Sequence, residues 1–210
     1  NLFFFMAWIF FLYAPISEVI NRFARSMEKN MVMYVTAISV LCLVGAVLIA
    51  HFTLKEFPNS ADEYVYLYQA ETLSQGKLAE NAHPLEQFFH FNHIAQKDGL
   101  NVGRFPPGWP LLLTVPYVLN FPAYWLNPLL TALALVVFFS FAKRYYGNHV
   151  AVWSLASLGL TGFYIFNGAS YFSHTSCLLF TVAFVYCIHL TTEKRHAVYP
   201  VLAGVFLGLI

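Results

Sequence analysis

The sequence predicts an all-α fold: a polytopic transmembrane helical bundle with a long outer loop that carries interfacial helices. Three observations lead there. Of 210 residues, 59% are hydrophobic and 10% charged, whereas a soluble domain carries roughly a quarter charged residues. Several apolar runs approach or exceed the roughly 20 residues that cross a bilayer. Seven acids (Glu56, Asp62, Glu63, Glu71, Glu80, Glu86 and Asp98) fall in one loop between such runs. A net charge of +1, with no basic run interleaved with aromatics, points away from nucleic acid as a partner.

The elements follow in order. Leu2 to Ile16 is a truncated span, followed by the charged SEVINRFARSMEKN, Ser17 to Asn30. Met31 to Phe52 is apolar and long enough to cross. The outer loop runs from about 53 to 120, polar over Glu56 to Arg104. Its last part, FPPGWPLLLTVPYVL, is too short to span and is interrupted by Pro110 and Pro116, so it is expected at the interface. Phe121 to Ala142, Val150 to Phe166 and Thr175 to Leu190 are further spans, and another begins near Val198. The chain starts and stops inside apolar runs, so residues 1–210 read as part of one multi-pass membrane domain that continues beyond them. Cys42, Cys177 and Cys187 each sit in an apolar run without CxxC spacing and read as buried thiols.

Basic residues set the orientation. Arg22, Arg25 and Lys29 share one loop, Lys143 and Arg144 a second, Lys194 and Arg195 a third. All three are expected on the cytoplasmic side. The long loop and FNGASYFSH, Phe166 to His174, then face outward.

Within the outer loop, PNSADEYVYLYQAETL places two adjacent carboxylates, Asp62 and Glu63, close to a membrane span. Ser60-Ala61-Asp62-Glu63 fits a capping box, with Ser60 as N-cap and Glu63 at the third helical position. Acids in a first turn also complement the helix dipole. A helix is expected from Ala61 to Gln75, stopped by Gly76, with Tyr64, Val65, Tyr68 and Leu73 toward the bilayer. Capping and chemistry are compatible readings of the pair. The loop returns to the membrane through Gly103-Arg104-Phe105-Pro106-Pro107-Gly108-Trp109-Pro110, expected as irregular backbone with Trp109 as interfacial anchor. Irregular backbone at that depth is tolerated where it lines a cavity or is buried in protein. An arginine there can take a phosphate, and a carboxylate can take a proton from a hydroxyl.

These residues resemble the GT-C glycosyltransferases, in particular the bacterial family-39-like branch related to protein O-mannosyltransferases and aminoarabinose transferases. The resemblance runs through the acidic pair, FPPGWPLLL, WLNPLLTALAL, FAKRYYG and ASYFSHTSCLLF, from about Pro58 to Leu190. It implies a bacterial inner-membrane enzyme with its site facing the periplasm or exterior. The donor would be a polyprenyl-phosphate-linked sugar and the acceptor a lipid, glycan or protein. Asp62 is then the candidate catalytic base and Glu63 a helper or capping residue. Arg104, His174 and Tyr66 are the candidate substrate-binding residues. The rival reading is a transporter or flippase subunit without catalysis, which would place ionisable residues within its spans. No cofactor is required by the sequence. The HxxH spacing of His90 and His93, with Asp62 or Glu86 as a third ligand, admits a divalent metal. Histidines scattered through a polar loop are ordinary, so no metal residue is assigned.

Overall fold

The computed structural model describes residues 17–210 except 20, 23, 24, 86, 87, 89 and 90, so the span expected over Leu2 to Ile16 lies outside the described residues. The chain is mostly helical. Helix α1 (Met31–Leu48) runs into a π-helical turn, Ile49–Thr53, closed by the Leu54 N–H donating to the Ile49 carbonyl at 2.9 Å. Then follow α2 (Ala61–Ser74), three short strands, α3 (Gly108–Leu119), a 3₁₀ turn at Ala123–Trp125 and α4 (Leu126–Gly159). The last elements are α5 (Gly162–Ala169), α6 (His174–Lys194) and α7 (Val198–Gly208).

Among the described residues, three stretches are long and apolar enough to cross a membrane: Met31–Thr53, Ala123–Gly159 and His174–Lys194. The second is two helices rather than one. Gly147 has φ 85° and ψ 172°, a conformation open to a residue without Cβ, and the chain reverses there. After the reversal Gly159 comes back beside Leu135, and Tyr164 donates its hydroxyl hydrogen to the Thr131 carbonyl at 2.7 Å. A Cβ on Gly168 would meet Thr131 Oγ1 at 2.3 Å, which measures how closely α5 lies on α4. The stretch expected as a span, Val150 to Phe166, is therefore helical on either side of a break at Leu160–Thr161 and not one continuous helix.

Helix α1 packs on both limbs of α4 through Val35, Ile38 and Cys42 against Leu135, Phe139, Val152 and Leu155. Helix α6 packs on α4, and α7 on α6. At one end Glu28 lies 3.4 Å from His149 and Arg144 pairs with Glu193. The three basic segments singled out in the sequence thus share that end. The cysteines are free, Cys42 and Cys187 buried and Cys177 half-buried.

At the opposite end α5 gives way to α6 over Ser170–Ser173, a stretch whose carbonyls have no complete helical ladder to join. The Asn127 side-chain amide supplies donors to three of the carbonyls there, Asn167 at 3.1 Å, Ser170 at 2.7 Å and Phe172 at 3.0 Å. Asn127 is 2% exposed, so this is a dry site where unpaired carbonyls would be expensive.

Two sequence expectations are corrected in the outer segment. It is not wholly α-helical and loop. Strands β1 (Glu80–Asn81), β2 (Ile94–Lys97) and β3 (Leu100–Gly103) form an antiparallel sheet in the order β1-β3-β2. The β2–β3 hairpin turns on Asp98-Gly99, both at positive φ (54° and 73°), the left-handed pair that a two-residue hairpin turn requires. Nor is GWP irregular. Gly108 opens α3, Pro110 falls in the first turn where an N–H has no intrahelical partner, and the helix continues through Pro116 to Leu119. Trp109, Pro110, Leu113 and Pro116 recur at helical spacing and form its buried face.

Replacing Asn127 tests the junction. Asn127→Ala should lower stability by about 1–3 kcal/mol, since buried carbonyls lose their donor. Asn127→Asp should cost more, because an acceptor then faces carbonyl oxygens. Melting temperatures of the two variants in detergent give the order.

Candidate functional site

The start of α2 forms one half of the predicted capping box. The Glu63 N–H donates to Ser60 Oγ at 3.2 Å, and both acids lie in the first turn. The Glu63 carboxylate does not return to the Ser60 N–H as the other half would; it is committed to two other backbone donors. One oxygen accepts from the Asn59 N–H at 2.9 Å and the other from the Tyr171 N–H at 2.8 Å. Glu63 is 1% exposed, so its desolvation is offset by two charge-assisted bonds and the helix dipole. It fastens α2 to the α5–α6 junction.

Tyr171 collects further bonds. Its hydroxyl donates to the Glu56 carbonyl at 2.9 Å, and its own carbonyl accepts from Trp109 Nε1 at 2.9 Å. Burial, with the neighbouring Tyr117 and Glu56 adding, pushes the Tyr171 phenol well above its ordinary range, so it remains a donor. Trp109 is 4% exposed and faces protein, not lipid as an anchor would. An indole N–H needs a partner, and the Tyr171 carbonyl is the one in reach. Val65 is fully buried, and Tyr68 donates to the Asn101 carbonyl at 3.3 Å. The apolar side of α2 thus packs on α3 and the hairpin instead of resting on a bilayer.

On another side of α2, Asp62, Tyr66 and Arg104 converge with His93, which its HxxH spacing marks only as a metal ligand. Ladder register places it. Ile94 pairs with Gly103, so His93 falls opposite Arg104, and the Arg104 N–H donates to the His93 carbonyl at 3.0 Å. The side chains meet as well: Arg104 Nη1 donates to His93 Nδ1 at 3.2 Å, and His93 Nε2 lies 3.3 Å from Asp62 Oδ1. Phe105 supports the group, its ring centroid 4.6 Å from Tyr66 and 5.7 Å from His93. Burial raises the Tyr66 phenol, a hydrogen bond with Ser173 opposes that rise and the Asp62 charge adds to it, leaving Tyr66 a protonated donor. The side chains of His93 and Asp62 are 33% and 42% exposed, so the array is open to an incoming molecule.

Carboxylate, imidazole, guanidinium and phenol in one row can accept a proton, hold an anion and orient a hydroxyl. Beside the helix start lies a cavity of about 230 Å³ with Ser60, Glu63 and Ser170 on its polar side and Leu54, Phe166 and Phe172 on its apolar side. His174 is not part of the row. Its ring stacks on Phe172 at 5.3 Å and lines a cavity of about 170 Å³ with Tyr164, Asn167 and Thr175. Among the described residues, no three His, Cys, Asp or Glu side chains gather as a metal site would need; His90 and Glu86 lie outside those residues. The signal that could have found His93 was Asp98-Gly99. Read as a hairpin turn, it brings His93 and Arg104 together by counting.

No family model matches the chain, and neither a curated protein nor a solved structure is found similar to it.

The two acids should separate on mutation. Glu63→Gln sets an amide NH2 against one of two backbone N–H groups and should cost about 1–3 kcal/mol of stability. Asp62→Asn, at a part-exposed position, should cost at most about 1 kcal/mol through the dipole. Thermal unfolding of the two variants side by side checks this order.

Proposed function

We propose that the protein is an integral-membrane glycosyltransferase that moves a sugar from a polyprenyl-phosphate carrier to an acceptor at the outer face. The observation that carries the reading is the Asp62–His93–Arg104 row at the end of the apolar helices. There a carboxylate and a guanidinium are held within two contacts of each other, each bonded to the same imidazole. The resemblance drawn from the sequence motifs supports the same reaction class.

Asp62 takes the proton of the acceptor hydroxyl as its oxygen bonds to the anomeric carbon. The bond from that carbon to the phosphate oxygen breaks, and the lipid phosphate leaves with the electron pair. Arg104 neutralises the departing charge, in the manner of a charge-assisted guanidinium–phosphate pair. Tyr66 donates a hydrogen bond beside Asp62. Glu63 has both oxygens on backbone N–H groups and acts by holding the α2 start in place. Positioning and charge stabilisation are the main requirements of such a transfer. In this reading the lipid tail reaches the row sideways, from the bilayer that surrounds the spans.

A transport function would call for ionisable side chains inside the spans. Met31–Thr53 holds no Asp, Glu, Lys or Arg, in His174–Lys194 Glu193 and Lys194 lie at the end, and in Ala123–Gly159 Lys143 and Arg144 lie near the Gly147 bend. That distribution favours chemistry at the helix ends.

The test is sugar transfer from a polyprenyl-phosphate sugar by the purified protein, with melting temperature recorded for each variant. Asp62→Asn should lose about 10²–10⁴-fold in rate, the usual loss for a general base, while remaining folded. Arg104→Ala should lose donor binding and Arg104→Lys should retain part of it, because a point charge still neutralises a phosphate. A folded Asp62→Asn protein with near-normal turnover would remove Asp62 from the chemistry.

A further inference from the structure

We propose that His93 is a positioning residue that ties a proton to donor binding: when an anionic phosphodiester engages Arg104, His93 takes up a proton and holds Asp62 as an ion pair. The inference rests on the glycosyltransferase reading for the identity of the anion, and on geometry for the rest.

A guanidinium carries donors only, so the His93 nitrogen facing Arg104 Nη1 at 3.2 Å must present its lone pair. The single ring proton is then on Nε2, directed at Asp62 Oδ1 3.3 Å away. The resting imidazole is therefore neutral and fixed in one tautomer between a cation and an anion. The groups that face it are Asp62 from α2, with Tyr66 beside that carboxylate, Arg104 from the end of β3, and the Phe105 ring. Two of these charges oppose each other in their effect on the ring. Arg104 occupies the basic nitrogen and disfavours a second proton; Asp62 favours it.

A phosphodiester on Arg104 removes one side of that balance. It neutralises the guanidinium and takes over its donors, leaving Nδ1 as an open lone pair while Asp62 is unchanged. With Nδ1 open and a carboxylate at Nε2, the ring takes up a proton, because the anion beside it favours the imidazolium. The proton comes from solvent, which reaches the one-third-exposed ring. In the loaded site Asp62 is held by a charged partner at the geometry it needs, and in the empty site Arg104 is kept from collapsing onto Asp62 by the imidazole between them.

Binding linked to proton uptake must tighten as pH falls, and this can be read without turnover. The protein in nanodiscs is titrated calorimetrically with the methyl phosphodiester of farnesyl phosphate, whose single charge does not titrate in this range. Measurements at pH 6 and pH 8 are made in buffers of different ionisation enthalpy. The expected result is net proton uptake on binding and an affinity about tenfold higher at pH 6 than at pH 8. His93→Gln, whose amide keeps a donor and an acceptor but does not titrate, should bind with no pH slope and no proton uptake. Wild-type binding that depends on Arg104 but takes up no proton would overturn the role of His93 and leave the donor reading standing. A His93→Gln protein with the wild-type slope would overturn it equally. Absence of wild-type binding at both pH values would overturn the donor reading and this inference together. Where His93→Gln does not fold, the proton count on the wild-type protein decides alone.

Discussion

The fold depends on closing the backbone between α5 and α6 against the buried side chains of Asn127 and Glu63. Over Ser170–Ser173 the chain leaves one helix and begins another, and its polar groups must be satisfied by side chains. Asn127 supplies donors from α4, Glu63 supplies an acceptor from α2, and Trp109 supplies a donor from α3. Each of these residues comes from a different element. The need to pair one short stretch of backbone therefore fixes where α2, α3 and α4 stand relative to one another. A buried amide left unpaired is worth a few kcal/mol, a large part of the marginal stability of any domain.

The position of the candidate site is a consequence. Because Glu63 is committed to Tyr171, the residue before it is carried to an adjoining side of the same turn, where Asp62 meets the hairpin. The hairpin is placed by a separate device. Asp98-Gly99 sets a two-residue turn, the turn sets the register, and the register sets His93 opposite Arg104. Gln69 locks strand to helix: its amide donates to the Phe105 carbonyl at 2.9 Å, and a Cβ on Gly103 would sit 2.2 Å from its side chain. Gly103 is thus small because α2 passes over it.

The row of Asp62, His93 and Arg104 has electrostatic as well as geometric sense. A carboxylate in direct contact with a guanidinium would be a saturated ion pair with little left for a substrate. An imidazole between them keeps the charges separate yet mutually stabilising, with Asp62 part-exposed and Arg104 exposed. A phosphodiester can then engage the cation while the carboxylate stays available to a hydroxyl. In the proposed function, the long apolar helices beside the row receive the lipid end of the donor.

Much of this was legible in the residues themselves. Long apolar runs must be helical where no water is present to bond the backbone, so α1, α4 and α6 follow from composition and length. The helix start at Ser60, with Glu63 donating to its hydroxyl, is a local signal legible in the residues. What tertiary structure decided is what one side chain meets far along the chain. The bond from Glu63 to Tyr171 spans 108 residues and that from Asn127 to Phe172 spans 45, and neither carries a sequence signature. The same holds for Trp109, whose type suits a membrane interface as well as a buried carbonyl; only its neighbours choose. Asp62 and Arg104 could each be named from the sequence because charge is conspicuous in an apolar chain. That His93 joins them was decided by strand register, a pairing property that no single residue contains.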